Sequence, residues 1–360
     1  MSRSLLVAGI TAVVVAAVAS PPASAAGAAQ RQNRPIFAVL HHPRALTPAI
    51  TAPSLPNWTF TYTYASQTYG EDFLGGNPSG DGSTTIPVEI VPVKLTFIAA
   101  GGAKTIANPL QKLPKSTTTL VHNTVISPIF QSGVDFVQGG TDVGKTQYLD
   151  AVQRASLWGV VATHPGYHVL LGQPTIAALK SFTVPTAYGT TGKPFGTKVI
   201  EANINWFDAT VVQPILAKLP TNVLPVFMIT QTYLLQGMHT GCCIGGYHSY
   251  TGSTPYAVFS YIKQSGKFSQ DVSALSHEIG ETINDPMIDN AAPPACSGIY
   301  EVGDPLENEP HYGDYPYALG GFTYHLQDLA MPPYFGAPTG ASVNGWSSFQ
   351  GTPLAVCQNG

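Results

Sequence analysis

The chain has 360 residues, a formal net charge of −4 and only 10% charged residues, against about 25% in an average soluble domain. Glycine and proline contribute 36 and 31 residues, the composition of a turn-rich, strand-rich extracellular protein. No lysine or arginine cluster supplies the electrostatic footprint of a nucleic-acid binder, which excludes nucleic acid as a partner, and the length suffices for a substantial core.

Arg3, the apolar run Leu5 to Ala19 and the small-residue stretch Ala23-Ser24-Ala25 form the pattern of a secretory signal peptide, with cleavage expected after Ala25. The run is shorter than the roughly 20 apolar residues that cross a bilayer. The expectation is a secreted, extracellular or periplasmic protein with no membrane association once residues 1–25 are removed. Residues 26–56 lack a sustained period and read as an extended lead-in over the surface. Residues 57–360 read as a single α+β domain, with strand- and loop-rich N- and C-terminal portions.

Along that domain, Trp58 to Tyr64 and Ile86 to Ile98 alternate as strands, separated by the turn-rich stretch Gly75 to Gly82. Thr146 to Trp158 has helical spacing through Leu149, Val152 and Ala155. A helix is expected from Asp208, as its cap, to Lys218, between strands Val199 to Trp206 and Leu224 to Thr230. The glycine-rich turn Gly241 to Gly252 precedes a strand over Tyr256 to Ile262. The last 70 residues read as loops and short strands.

The four cysteines are Cys242, Cys243, Cys296 and Cys357. An exported chain keeps disulfides. Neighbouring residues place their Cα atoms near 3.8 Å, below the 4.4–6.8 Å a bridge prefers, so Cys242 and Cys243 are each expected to pair with one of Cys296 and Cys357. A cysteine zinc site would want two CxxC-like pairs, which the sequence lacks.

The segment 240–310 carries the chemistry. Val272, Leu275, Ile279 and Ile283 give Gln270 to Ile283 a helical period, Ser269 or Asp271 is placed to cap it, and Pro286 ends it. On such a helix His277 and Glu281, four apart, project from one face, while Glu278 points about 100° away. His277-Glu278-Ile279-Gly280-Glu281 thus has the geometry of the HExxH zinc helix, with Glu281 in place of the second imidazole. In that motif the outer residues hold the ion and the inner Glu serves as general base on its water. A carboxylate for an imidazole leaves the ion less positive and favours manganese, iron or magnesium over zinc more than HExxH does. Downstream, Glu301-Val302-Gly303-Asp304 offers two acids. Glu301 lies twenty residues past Glu281, which suits a third ligand, and Asp304 suits the orientation of the ligating histidine; the reverse assignment is also open.

Cys243 to Ser249, Pro255-Tyr256-Ala257, Ser276 to Glu281 with Asp285-Pro286, and Glu301 to Asp304 together resemble a family of secreted HExxE proteins distantly similar to the plant exordium, or phosphate-induced, extracellular proteins. The resemblance covers roughly residues 200 to 310. It implies a zincin-like fold, a mixed sheet packed on a metal-binding helix, and a metallopeptidase role. Relatives usually carry a cysteine soon after the acidic motif, where this chain has Pro305-Leu306. His248 either reaches the site as a ligand or transition-state donor or packs as a strand histidine under a loop. In a zincin-like fold the strand near Tyr256 to Ile262 is the edge on which an extended peptide pairs.

Gly139 to Thr146 satisfies GxxxxGK[ST], but no apolar strand ends in the Asp that would hold magnesium, and an exported protein meets little nucleotide. The expectation there is a turn and a helix cap. His41-His42 is left as surface, and His164 and His168, with Pro165-Gly166 between them, as loop. Three functions remain. One is a secreted metal-dependent peptidase with a divalent ion, zinc first, held by His277, Glu281 and Glu301, and with Glu278 and His248 in the chemistry. The second is an extracellular or cell-wall binding protein of exordium type with a structural or vestigial ion. The third is an aromatic-rich carbohydrate-binding module without metal.

Overall fold

A computed structural model describes residues 36–40, 54–138, 141–292, 300–307, 309–338, 342–343 and 345–354. The signal-peptide segment, His41-His42, Cys296 and Cys357 lie outside the described residues, so the expected cysteine pairings are not visible. Cys242 and Cys243 open one strand with their sulfurs side by side. Among the described residues no helix is long and apolar enough to cross a membrane.

The architecture is mixed α+β, built on an 11-stranded sheet. Its main path runs Thr175–Ile176, Val88–Ile98, Leu224–Thr230, Thr254–Tyr261, Cys242–Thr251, Thr232–Leu235, Val199–Asn203, Gly189–Gly192. Lys104–Ala107 and Lys180–Val184 also pair with Val88–Ile98, and Ile36–Val39 pairs with Cys242–Thr251. Lys104–Ala107 approaches Val199–Asn203 as well, so the sheet curls until it is nearly closed.

Alternation along the strands sorts two cores, because successive side chains leave a strand on opposite faces. Val91, Val93, Phe227, Ile229, Tyr256 and Val258 face one core, against Phe207, Val211 and Val212. Ile90, Val226, Met228, Ala257 and Phe259 face the other core, against Leu275, Ile279 and Ile283 of the helix Ser273–Asn284. That second face is where the candidate site residues gather.

Several elements differ from expectation, each for a local reason. The helix expected from Asp208 starts a turn earlier at Ile204, because the Asn203 side chain accepts the Trp206 N–H. Asp208 lies in a π turn, Asp208–Val212, and its carboxylate accepts the hydroxyls of Tyr247 at 3.0 Å and Tyr256 at 2.6 Å. The helix Ser273–Asn284 begins after Gln270, since Ser269 and Asp271 sit at φ 61° and 38°. Neither caps it through N2 or N3; Asp271 instead accepts the N–H groups of Val272 and His325.

The stretch Gly241 to Gly252, expected as a turn, is the strand Cys242–Thr251. Glycine is needed inside it because a Cβ on Gly245 would lie 2.9 Å from the Phe268 ring. Ile36–Val39 does not run over the surface but forms a parallel strand with Phe37 buried. Thr141–Thr146 is the second strand of a hairpin with Val134–Gln138, not a helix cap. His168 starts the strand His168–Leu171 and pairs with buried Asp150 at 2.6 Å.

Candidate metal centre

The helix Ser273–Asn284 lies across the strands Cys242–Thr251 and Thr254–Tyr261. Its i, i+4 spacing puts the His277 Nε2 atom 3.0 Å from Glu281 Oε1. From the strand below, His248 projects upward: its Nδ1 lies 3.4 Å from Glu281 Oε2 and 3.5 Å from Glu278 Oε2. Its Nε2 lies 3.7 Å from Glu301 Oε2. Glu278 therefore faces His248 from the helix, and a Cβ on Gly246 would meet its Oε1 at 2.6 Å. Only glycine leaves room for that carboxylate.

The return segment 300–307 closes over the helix. Gly303 N–H donates to Glu281 Oε1 at 3.0 Å, and the Gly303 backbone rests on the His277 ring so closely that any Cβ would strike it. Beyond it, Asp304–Leu306 forms a 3-10 turn. Three residues per turn eclipse side chains at i and i+3, which sets Asp304 and Glu307 side by side. Asp304 Oδ1 lies 3.7 Å from His277 Nε2.

The far side of His277 is held by groups remote in sequence. Its Nδ1 bonds Gln327 Oε1, while the Gln327 N–H donates to Ser276 Oγ at 2.8 Å. Phe37 packs on the imidazole with centroids 4.0 Å apart and donates its N–H to Glu307 Oε1. With Nδ1 engaged by Gln327, the nitrogen of His277 that faces the acids is Nε2, the arrangement by which an outer partner orients a ligating imidazole.

Two groups have donor atoms close enough to share an ion: His248, Glu278 and Glu281, all buried, and His277, Asp304 and Glu307. His248 Nδ1 and Nε2, His277 Nε2 and both oxygens of Glu278 and of Glu301 make no well-formed hydrogen bond. His248, His277 and Glu278 are fully buried. Leaving such groups unsatisfied in an apolar core costs several kcal/mol in all, at about 1–3 kcal/mol each. A cation held by these imidazoles and carboxylates satisfies them, so the residues fit a divalent ion.

The electrostatics agree. Burial pushes the Glu278 carboxyl well above the ordinary range, and the Glu281 charge adds to it. Glu301 is raised by the same two causes. Asp304, whose side chain keeps 31% exposure, rises to about 7 through desolvation and Glu281. Burial also opposes ionisation of Glu281, but the imidazoles of His277 and His248 outweigh it and hold that carboxyl below its usual range. A cation there would offset the burial and mutual repulsion that raise Glu278, Glu301 and Asp304.

All six residues singled out from sequence, His248, His277, Glu278, Glu281, Glu301 and Asp304, meet in this one place. Glu307, Gln327 and Phe37 were not foreseen. Glu307 continued a visible three-residue spacing of acids, 301, 304, 307; Gln327 and Phe37 had no sequence signal, being 50 and 240 positions from His277. Comparison with protein-family models, with curated proteins and with solved structures finds no match.

Proposed function

We propose that this chain is a metal-dependent hydrolase acting on polypeptides outside the cell, with a zincin-like arrangement of helix and sheet. The observation that carries the reading is Glu281 set between two fully buried imidazoles, 3.0 Å from His277 and 3.4 Å from His248. A divalent ion there supplies Lewis-acid polarisation of a scissile carbonyl. His277, His248, Glu281 and Glu301 would hold it. Glu278, beside them and without a hydrogen bond, takes the proton of the attacking water and returns it to the departing amine.

Support for a peptide substrate comes from Ile36–Val39. This extended segment lies along Cys242–Thr251 in register with Ile244, Tyr247 and His248, and Leu40 N–H reaches His248 O at 3.3 Å. The edge beside the site therefore accommodates an extended chain. Thr254–Tyr261, the edge expected from sequence, is flanked on both sides by Leu224–Thr230 and Cys242–Thr251 and is not an edge. Export is proposed from Arg3 and the apolar run that follows it.

The complete burial of the two imidazoles favours a second reading, an extracellular binding protein of exordium type in which the ion is structural. Glu278→Gln separates them. In the hydrolase, turnover of a mixed peptide library falls by at least 100-fold while metal content and melting temperature hold. A wild-type chain that is metal-loaded yet inert toward every peptide, with the variant indistinguishable from it, overturns the hydrolase in favour of the structural ion.

A further inference from the structure

We infer that the cluster holds two divalent ions rather than one, bridged by the carboxylate of Glu281. This deepens the metal-dependent reading and rests on it. Glu281 turns its two oxygens in two directions: Oε1 toward His277 Nε2 at 3.0 Å and Oε2 toward His248 Nδ1 at 3.4 Å. Each imidazole belongs to a different ligand group. Around His248 stands Glu301, with Oε2 3.7 Å from Nε2, while Glu278, whose Oε2 lies 3.5 Å from Nδ1, keeps its place as the base. Around His277 stand Asp304, at 3.7 Å, and Glu307.

A bridging carboxylate with a histidine and further acids on each side is a donor set suited to zinc, manganese, iron or cobalt, and paired ions at about 3.5–4 Å clamp the attacking and leaving oxygens of a displacement.

The test uses the full chain, stripped of metal and reloaded with Zn2+ or Mn2+. Zinc analysis after desalting gives two equivalents per chain; His248→Ala retains one, and the double variant Asp304→Asn with Glu307→Gln retains one. The Mn2+-loaded chain gives the exchange-coupled resonance of a neighbouring pair. A single equivalent, or two that give the six-line spectrum of isolated ions, overturns the pair while the hydrolase reading stands. No bound metal overturns both. Should a variant fail to fold, the stoichiometry and spectrum of the unmodified chain still decide.

Discussion

His277 makes its useful contacts only because three other residues restrain it. Gln327 engages Nδ1, Gly303 lies flat against the ring and Phe37 covers the remaining face. Outer partners of a ligating imidazole contribute about 10–100-fold in metal affinity. Gln327→Ala is therefore expected to weaken metal binding by that factor with the fold intact, measured by competition with a chelating dye; unchanged affinity would remove Gln327 from the site. Gly246 makes a sharper demand, since a methyl group would lie 2.6 Å from Glu278 Oε1 and 2.8 Å from the Val258 carbonyl oxygen. Neither the ladder partner nor the helix can withdraw easily. Gly246→Ala should lower stability by about 1–3 kcal/mol, the usual range for overpacking, and lower metal affinity with it; denaturant midpoints and dye competition measure the two effects.

At the scale of elements, the site is a crossing of four pieces: a helix, a strand beneath it, a return segment above it and an N-terminal strand along its edge. The N-terminal strand is the least expected of them. Ile36–Val39 contributes only four residues, yet Phe37 is 4% exposed and touches both His277 and Phe268. Truncating a buried phenylalanine costs about 3–5 kcal/mol when the cavity stays open. At a sheet edge the cavity can fill with water, so Phe37→Ala is expected at or below the lower end, about 3 kcal/mol, and should speed metal exchange by uncovering the imidazole. Stopped-flow chelation reads the second effect. An unaltered exchange rate would mean that ions reach the site by another side, past the partly exposed Asp304.

Across the whole molecule, buried acids make stability depend on pH away from the His/Glu cluster as well. Glu71, on the hairpin strand Gln67–Leu74, rises from 4.5 to about 8 because it is buried and faces the Asp285 charge. Asp285, just past the site helix, rises from 3.8 to about 8 through burial, which outweighs the N–H groups of Asn290 and Asp289 bonded to it. Both folded-state values are raised, so the native chain binds more protons than the unfolded one between about 4 and about 8. Their stabilisation is complete below the unfolded values and is lost as pH rises through the folded ones. The metal-free chain should melt at progressively lower temperature from pH 5 to pH 8, and Glu71→Gln should flatten part of that slope. A melting temperature that climbs over this interval would contradict the assignment.

Much of this was legible in the chain itself. The i, i+4 spacing of His277 and Glu281 needs only a helix, and the apolar period through Leu275, Ile279 and Ile283 supplied one. Leu224–Thr230 was readable end to end because an unbroken apolar run has few alternatives. Glycine misled where its absent Cβ serves packing and not a turn: Gly245 and Gly246 sit mid-strand because Phe268 and Glu278 occupy the space a side chain would take. Sequence alone determined the local chemistry, namely which residue types recur at helical and 3-10 spacing, because those distances are set by the backbone within one or two turns. Tertiary structure decided which of them meet. Placing His248 under Glu281, Gln327 behind His277 and Phe37 over it depends on strand register and chain reversal across up to 240 residues, and no local pattern encodes contacts between segments so far apart.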